Sequence, residues 1–411
     1  MTSQREHSHD LDNLRAVMMW LGIVLHVGVI HMIRPPPNIP YQDVAATRGA
    51  DILVGAIHAF RIPVFLMVAG FFVELLRQRY GTGGMVRHRL RRIGLPFAVF
   101  WPLLYIGTIA AMAVFFGRAS YSGGWWLDPM QLPRIPAGER LTTFHLWFLY
   151  QLIGYCLLVA GTAPIARRIP RAWRARGTQW GNRIATRWWG LPVLMLIPVL
   201  TTLPYAQGSV VVYGSFLPDW SVWSYYGVFF AFGLFLFHNA DSLATVYARR
   251  WAGLAGMGTV SFLAASALYG AGYRAAGNPE ALFLSAAAAY AATTWLWSFA
   301  LIGGFRRFLA RRRPVLKYIA DSSYWVYLLH FPLTIAFGAL LYGLDWGPWL
   351  KMGLNIAATT AVCLVTYHYL VRHTVIGVLL NGRRADKATT AGPRNTYGPA
   401  VQNAERTGSA Y

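Results

Sequence analysis

Long apolar blocks separated by polar segments run along most of the chain. A helix that crosses the ~30 Å hydrocarbon core of a bilayer needs about 20 mostly apolar residues, and ten runs of suitable length are present. They lie at about 14–33, 51–76, 93–116, 143–163, 188–204, 222–238, 251–273, 281–303, 317–342 and 349–371. Between the fifth and sixth runs, the prolines, glycines and aromatic residues of TTLPYAQGSVVVYGSFLPDW are typical of an interfacial or re-entrant segment. The pattern predicts an all-α polytopic membrane protein with about ten transmembrane helices.

The composition excludes an ordinary soluble protein. Of the 411 residues, 56% are hydrophobic and only 13% are charged, which is typical of a membrane protein. The opening MTSQREHSHDLD is polar and the apolar run after it has no small-residue cleavage site, so we expect no signal peptide. Cys156 and Cys363 lie in separate apolar runs, where we expect buried thiols rather than a disulfide framework or a metal site.

The basic residues are distributed unequally between the two predicted sides of the membrane. A net charge of +22 would suggest nucleic acid binding in a soluble protein. With the amino terminus assigned to the cytoplasm, however, the cytoplasmic segments hold 28 Lys and Arg residues and the opposite segments hold 7, counting Lys351 with its loop. Cytoplasmic loops of membrane proteins carry such an excess. We therefore expect both termini in the cytoplasm, attraction to anionic lipid and no nucleic acid partner.

One transmembrane domain accounts for most of the chain. We assign residues 1–382 to it, and no internal repeat is evident in the sequence. Residues 383–411 are polar and poor in large aliphatic side chains. They are predicted to form a disordered cytoplasmic tail.

Several ionisable residues lie inside the predicted spans. An ionisable side chain in the hydrocarbon core costs several kcal/mol and by default marks a functional site. With a rise of ~1.5 Å per residue, His26 lies roughly 18 Å from the cytoplasmic face, Arg61 roughly 15 Å from the outer face and His330 roughly 20 Å from the cytoplasmic face. His58 lies one turn outside Arg61. These four groups from three helices are predicted to meet just outward of the midplane.

The first span carries a polar stripe. Arg15 and His26 are eleven residues apart, close to three helical turns, and Asp12 precedes Arg15 by three residues, so the three share one face. Gly22 lies between them and leaves room for a narrow ligand. The alternatives are structural, because Arg15 can reach the headgroups with Asp12 as its partner and a single buried histidine usually packs against neighbours. The convergence of several such groups favours a functional site.

A second candidate site precedes the third span, in MVRHRLRRIGLPFAVFWP. Arg89 and Arg92 are three residues apart and lie on one helix face. Paired guanidinium groups at the mouth of a helical bundle can bind phosphate groups bidentately. Alternatively, the arginines of this segment serve only as topology anchors.

Five segments, LDNLRAVMMWLGIVLH, HAFRIPVFLMVAGFF, RLRRIGLP, HLWFLYQL and SSYWVYLLHFP, occur in this order. As a set they resemble the signature segments of the acyltransferase family 3 membrane proteins, from about residue 4 to 382. The resemblance implies a ten-helix bacterial inner-membrane enzyme that moves an acyl group from cytoplasmic acyl-CoA to a hydroxyl of an extracytoplasmic carbohydrate. The opening and the ending YHYLVRHTVIGVLLNG most resemble a glucan biosynthesis branch, which is associated with succinylation of osmoregulated periplasmic glucans.

The resemblance also implies roles for individual residues. His26 matches the catalytic base of the family. The site and its donor entrance would contain Arg15, Arg61, Arg89 and Arg92. Where many members have Ser-Gly-Phe, this chain has Ala69 before Gly-Phe, so a hydroxyl at this position takes no part in the reaction. Ile62 stands where Met is common.

Acyl transfer by general-base catalysis is the expected mechanism. We expect His26 to remove the proton of the acceptor hydroxyl as its oxygen attacks the thioester. Arg61 would stabilise the oxyanion or, for a succinyl donor, hold the free carboxylate. An acyl-histidine intermediate is the alternative. Asp12 and Arg15 would fix the inner half of the donor path.

Further histidines are candidate supporting residues, namely His58, His145 and His330. His330 would orient His26, contact the acceptor, or only form a hydrogen bond between helices. His145 and Trp147, at the outer mouth of the fourth span, could stack on a sugar, although aromatic belts also place Trp there.

The alternative function is a transporter or channel for an anionic solute, in which intramembrane Arg and His bind the anion or relay protons. Paired broken helices in two related halves would favour it, and the sequence has no such symmetry. The expected partners are the bilayer, acyl-CoA as succinyl-CoA or acetyl-CoA, and a carbohydrate; no cofactor is expected to stay bound. The sequence leaves the oligomeric state open.

Overall fold

The computed structural model describes residues 2–36, 39, 41–120, 141–205, 208, 210, 214–275, 278–310 and 314–381, with backbone alone for residues 2–9. The predicted tail at 383–411 lies outside these residues. The described helices are α1 (Thr2–Ile30), α2 (Arg48–Arg89), α3 (Leu95–Ser120), α4 (Trp147–Arg168), α5 (Arg171–Thr186), α6 (Gly190–Leu200), α7 (Trp220–His238), α8 (Ala240–Gly272), α9 (Glu280–Phe308), α10 (Pro314–Leu341), α11 (Pro348–Thr366) and α12 (Val375–Asn381). The predicted all-α fold is confirmed.

Eight helical stretches of the described chain are long and apolar enough to cross a membrane. One of them, Arg48–Ser120, has 73 residues and contains the second and third predicted spans. The fifth predicted span, 188–204, is wrong in length, because α6 has only 11 residues and at ~1.5 Å per residue covers roughly half of the hydrocarbon core. Pro198 and Pro204 lack the backbone N–H group that continues a helix, and the residues after Leu200 form turns.

Two segments predicted to lie between spans are also helical. One is α5, and the other is the end of α2, which continues through residues 77–89. Gly81 interrupts α2 with a φ of +72°, a left-handed value that glycine adopts at little cost. The turn after α2, Leu90–Gly94, is π-helical, and such turns are frequent at functional sites. Arg89 and Arg92 are positioned by this interrupted segment.

Close helix packing positions the polar residues of the first two spans. Helix α1 packs against α2, α9, α10 and α11. On the other side of α2, a side chain at Gly233 of α7 would collide with the carbonyl oxygen of Met67, and one at Gly70 would collide with that of Phe230. Small residues at such crossings allow membrane helices to approach closely. The helix that carries Arg61 is therefore held between α1 and α7.

The loop after α1 is fixed by a buried ion pair. Lys351 of α11 donates to both carboxylate oxygens of Asp43, at 2.9 and 3.1 Å, and both side chains are almost completely buried. His31 Nδ1 lies 2.8 Å from the carbonyl oxygen of Ala45 in the same loop. Lys351, whose charge was counted with the preceding loop, lies in α11 as the predicted span at 349–371 places it, and its ammonium group has a buried carboxylate as its partner.

Candidate active site

A cavity of about 910 Å³ opens at the end of the bundle that is predicted to face the cytoplasm. Helices α1, α2, α4, α10 and α12 and the π-helical turn before α3 contribute to its wall. The four residues predicted for an acyl-CoA path, Asp12, Arg15, Arg89 and Arg92, all line it. Two positively charged segments far apart in sequence therefore meet at one opening.

Cations dominate the charge of this opening. Arg15 pairs with Asp12 at 3.3 Å, and both side chains are about one third exposed. Arg89 behaves differently, because its Nε and Nη2 are buried and find no hydrogen-bond partner among the described residues. Lys317 of α10 also lines the cavity and is exposed. Since an unpaired buried donor is costly, the Arg89 guanidinium is suited to bind an anion that enters the cavity.

The C-terminal helix forms part of the same wall. Leu380 and Asn381 line the cavity, Arg92 Nη1 donates to the carbonyl oxygen of Leu380 at 3.2 Å, and Asn381 Nδ2 donates to that of Asp321 at 2.9 Å. Arg92 therefore differs from Arg89 in having a partner on the protein. It connects the RLRR segment to α12.

The inner end of the cavity is apolar and lies close to the ionisable residues of the membrane core. Phe65 follows Arg61 by one helical turn, and Leu149 follows His145 by one turn. Ala69, the position where many family members have Ser, also lines the cavity. His26, Arg61, His145 and His330 do not line the cavity themselves, and the buried side chains of Phe65 and Leu149 form the part of its wall nearest to Arg61 and His145.

A polar cluster lies beyond this end, in which Arg61, His145 and His330 are buried and His26 is partly buried. The His26 and His330 ring centroids are 5.2 Å apart, and those of His330 and His145 are 5.3 Å apart. Phe331 packs against both His26 and His145, at 4.8 and 4.9 Å. Arg61 faces the same point, because a Cβ added at Gly22 would lie 3.4 Å from Arg61 Nη1 and 2.9 Å from His330 Nε2. The structure thus brings together His26, Arg61 and His330, and adds His145.

Hydrogen bonds fix which ring nitrogen of two histidines faces the cluster. His330 Nδ1 lies 2.8 Å from the carbonyl oxygen of Tyr327, and His145 Nε2 lies 3.1 Å from that of Leu328. A carbonyl oxygen only accepts, so these two nitrogens carry the hydrogens and the opposite nitrogens are acceptors in the neutral rings. His330 Nε2, His145 Nδ1 and Arg61 Nη1 are all buried without a partner among the described residues. The cluster therefore offers two acceptors and one cationic donor to a ligand.

His145 belongs to the cluster. Its position in the sequence predicted that it would lie at the outer mouth of the fourth span. It lies in a short 3-10 turn, Phe144–Leu146, that begins with a φ of +45° at Phe144. Thr143 before this turn donates its backbone N–H to the carbonyl oxygen of Gly214 at 2.7 Å. The segment around Gly214 thereby packs over the start of α4, and His145 is only 6% exposed. The His145 ring packs against Tyr327, His330 and Phe331 of α10, and the apolar pattern of the sequence does not predict this contact.

His58 and Trp147 lie at the edge of this arrangement. His58 is one turn from Arg61 on α2, and its side chain is exposed. Trp147 packs on Tyr226 at 5.3 Å between ring centroids. Neither side chain forms a hydrogen bond with the buried cluster among the described contacts, so both remain candidates for a peripheral role.

Comparison with known proteins agrees with this arrangement. Residues 8–368 match the family model described as an acyltransferase domain. Glucans biosynthesis protein C of Escherichia coli O6:K15:H31 (strain 536 / UPEC) is 24% identical over 400 residues, which cover 93% of this chain and 95% of that protein. The protein of the same name from Escherichia coli strain K12 is 24% identical over 393 residues, with the same coverage. No solved structure matches significantly. Because the family model matches residues 8–368, most of the chain, the chain belongs to the acyltransferase family 3 membrane proteins.

Proposed function

We propose that this protein is a membrane O-acyltransferase that moves an acyl group from cytoplasmic acyl-CoA to a hydroxyl of an extracytoplasmic glucan. One observation carries the proposal: a cavity with an unpaired arginine in its wall ends one helical turn from a cluster of histidines and an arginine. The first part suits the phosphates of an acyl donor, and the second suits proton transfer and oxyanion stabilisation. Acyl transfer across a membrane requires both a binding site for the donor and a catalytic group within the membrane.

The donor binds with its nucleotide at the cavity opening. Arg89 and Lys317 bind phosphate oxygens there, and Arg92 contributes where it is released from Leu380. To bring the thioester to the cluster, the pantetheine arm has to displace the buried side chains of Phe65 and Leu149 at the inner end of the cavity. The volume of about 910 Å³ is within the usual size of a ligand pocket.

His26 acts as the general base on the acceptor hydroxyl. It takes the proton as the hydroxyl oxygen forms a bond to the thioester carbon, and Arg61 donates to the oxygen that becomes negative. When the carbon–sulfur bond breaks, the CoA thiolate leaves and receives the proton from His26. His330 accepts a hydrogen bond through Nε2 from His26 or from the acceptor hydroxyl, because its Nδ1 is occupied by backbone carbonyl groups.

The names of the relatives support a glucan as the acceptor. The curated relatives are called glucans biosynthesis protein C, and an acceptor outside the cytoplasm would reach His26 from the side opposite to the cavity opening. The bacterial inner membrane is the corresponding location. Succinyl and acetyl groups are both suitable donors, and with a succinyl donor the alternative role of Arg61 is to bind the free carboxylate instead of the oxyanion.

An assay with purified protein in vesicles tests the function. The protein is supplied with labelled succinyl-CoA or acetyl-CoA and a glucan, and we expect label to become covalently attached to the sugar. Counterflow of a labelled anion without hydrolysis of acyl-CoA would instead support a transporter and overturn the proposal.

Replacing Arg89 by Gln is expected to weaken donor binding. A hydrogen bond to a charged group contributes about 1.5–3 kcal/mol, so the KM for acyl-CoA should rise roughly 10- to 100-fold, with a smaller effect on kcat. Arg87→Gln and Arg91→Gln are matched controls, because these two arginines are exposed on the same segment and do not line the cavity. Equal effects of all three substitutions would reduce Arg89 to a topology anchor.

Adding a methyl group at Gly22 is expected to lower activity without preventing folding. The new Cβ would lie 2.9 Å from His330 Nε2, and the His330 ring cannot easily move because Nδ1 is bound to carbonyl groups of its own helix. For Gly22→Ala we expect kcat/KM to fall roughly 10- to 100-fold, as small misplacements in active sites can do. Gly107→Ala is the control, since a Cβ there meets no described atom within 4 Å. An unchanged kcat/KM would mean that the reaction does not use this space.

A further inference from the structure

The first part of α5 has no packing partner in the described structure. Every residue from Arg171 to Trp180 is exposed, whereas the helix from Gly181 onward is partly buried against the bundle. An isolated short helix is marginally stable in water, and most helical stability in proteins comes from packing of one face. A helix that extends from a membrane domain in this way needs a further surface to support it.

Contacts with the bundle define one side of α5. Asn182 Nδ2 donates to Asn239 Oδ1 at 2.9 Å, and the carbonyl oxygen of Ala185 accepts from the Tyr247 hydroxyl at 3.1 Å. Gly181 lies directly against the ring of Phe235. These residues place the end of α7 and the start of α8 on this side of the helix.

The roughly opposite side carries tryptophans. Trp173 and Trp180 are seven residues apart and share a face, and they are 70% and 56% exposed. Asn182 and Ala185 follow Trp180 by two and five positions, which turns them about 140–200° away from that face. Gly177 lies between the two indoles on the same face. Large exposed indole side chains are typical of the membrane–water interface.

The charge of the segment identifies the surface that would accept it. Residues 164–187 contain seven arginines and no Asp or Glu, and Arg174, Arg176 and Arg183 flank the tryptophan face within α5. The side chain of Arg183 lies over the Trp180 ring at 5.4 Å. An apolar aromatic face bordered by cations fits a surface with phosphate groups outside and acyl chains beneath.

We propose that α5 is an interfacial helix that binds anionic phospholipid on the predicted cytoplasmic leaflet. Trp173 and Trp180 enter the region below the headgroups, and the flanking guanidinium groups bind lipid phosphates. The helix thereby lies flat on the membrane beside the bundle, between α4 and the half-length α6. This binding does not depend on the proposed acyl transfer, so it is tested without an activity assay.

Spin labels at two positions test the orientation. Cys156 and Cys363 are buried, so a nitroxide reagent is directed to a cysteine introduced by Gly177→Cys or Ala175→Cys in protein reconstituted in phosphatidylcholine–phosphatidylglycerol nanodiscs. Gly177 lies on the tryptophan face, and Ala175 lies about 200° from Trp173. We expect the label at 177 to be accessible to oxygen and protected from a water-soluble nickel complex, and the label at 175 to show the reverse. Equal nickel accessibility would place α5 in water, and spin–spin broadening would identify a second copy of the chain instead; either result overturns the proposal.

Lipid preference tests the arginines. Retention of phosphatidylglycerol over phosphatidylcholine is measured by native mass spectrometry for the wild type and for the variant Arg174→Gln/Arg176→Gln/Arg183→Gln. Each basic residue near an anionic surface contributes about 1 kcal/mol, so we expect the preference to fall about fivefold per arginine removed. The control variant Arg79→Gln/Arg87→Gln/Arg91→Gln removes three exposed arginines from the end of α2 and the π-helical turn after it and should keep the preference. Equal losses in the two variants would mean that net charge rather than α5 determines the preference.

Discussion

Replacing His26 by alanine is expected to reduce acyl transfer by about 10²–10⁴-fold, the contribution of a positioned general base. The ring centroid of His26 lies 5.2 Å from that of His330, and the ring packs on the edge of Phe331, so the substitution removes an imidazole from the cluster itself. Transfer of labelled acyl groups to glucan by purified variant and wild type gives the ratio. The yield of membrane-inserted protein, measured in parallel, should stay unchanged.

His368→Ala is the matched control for this experiment. His368 is exposed in the π-helical turn after α11 and does not line the cavity, so its loss should leave the transfer rate unchanged. Full activity of the His26→Ala variant would contradict the proposed base. A labelled acyl group bound to His26 during a single turnover would instead identify the histidine as a nucleophile.

Replacing Arg61 by methionine is expected to lower kcat by about 10²–10³-fold, because an oxyanion donor is removed. The same substitution should keep or raise the thermal midpoint. Arg61 is only 8% exposed, and its Nη1 has no partner among the described residues. A buried cation without compensation destabilises a protein, and an apolar residue of similar volume removes that cost.

Arg118→Met provides the opposite control. Arg118 is also 8% exposed, but its Nε and Nη2 donate to the carbonyl oxygens of Ala339 and Tyr342 at the end of α10, at 3.1 and 2.9 Å. This variant should lose thermal stability and keep kcat per folded molecule. Of these two arginines with the same exposure, replacing Arg61 should lower kcat and keep or raise the thermal midpoint, and replacing Arg118 should keep kcat and lower the thermal midpoint. An Arg61→Met protein that keeps its kcat would remove Arg61 from the reaction.

The sequence predicts the relative depths of charged groups well, because a membrane helix rises by a constant amount per residue. The predicted depths of His26, Arg61 and His330 agree with a cluster in which the rings of His26 and His330 are 5.2 Å apart and Arg61 faces Gly22. The i, i+3 spacing likewise agrees with the pair between Asp12 and Arg15. The roles of these residues remain predictions.

Features that depend on contacts between segments distant in the sequence cannot be predicted from the rise per residue of single helices. His145 enters the cluster because it packs against His330 and Phe331 of α10 and bonds to the carbonyl oxygen of Leu328, about 180 residues further along. The wall that α12 contributes to the cavity depends on the bond between Arg92 and the carbonyl group of Leu380. Neither hydropathy nor helical spacing contains information on such pairs, since both describe the chain only locally.

The ion pair of Asp43 and Lys351 has a consequence for biosynthesis. The two residues are 308 positions apart, and at ~5–20 residues per second a ribosome needs roughly 15–60 s to synthesise the chain between them. During that interval the carboxylate at the end of the first helical hairpin has no ammonium partner, and burying it alone would be costly. The nascent hairpin therefore has to keep this loop hydrated until α11 has inserted. The loop therefore closes late in folding, after the last long membrane helix has inserted.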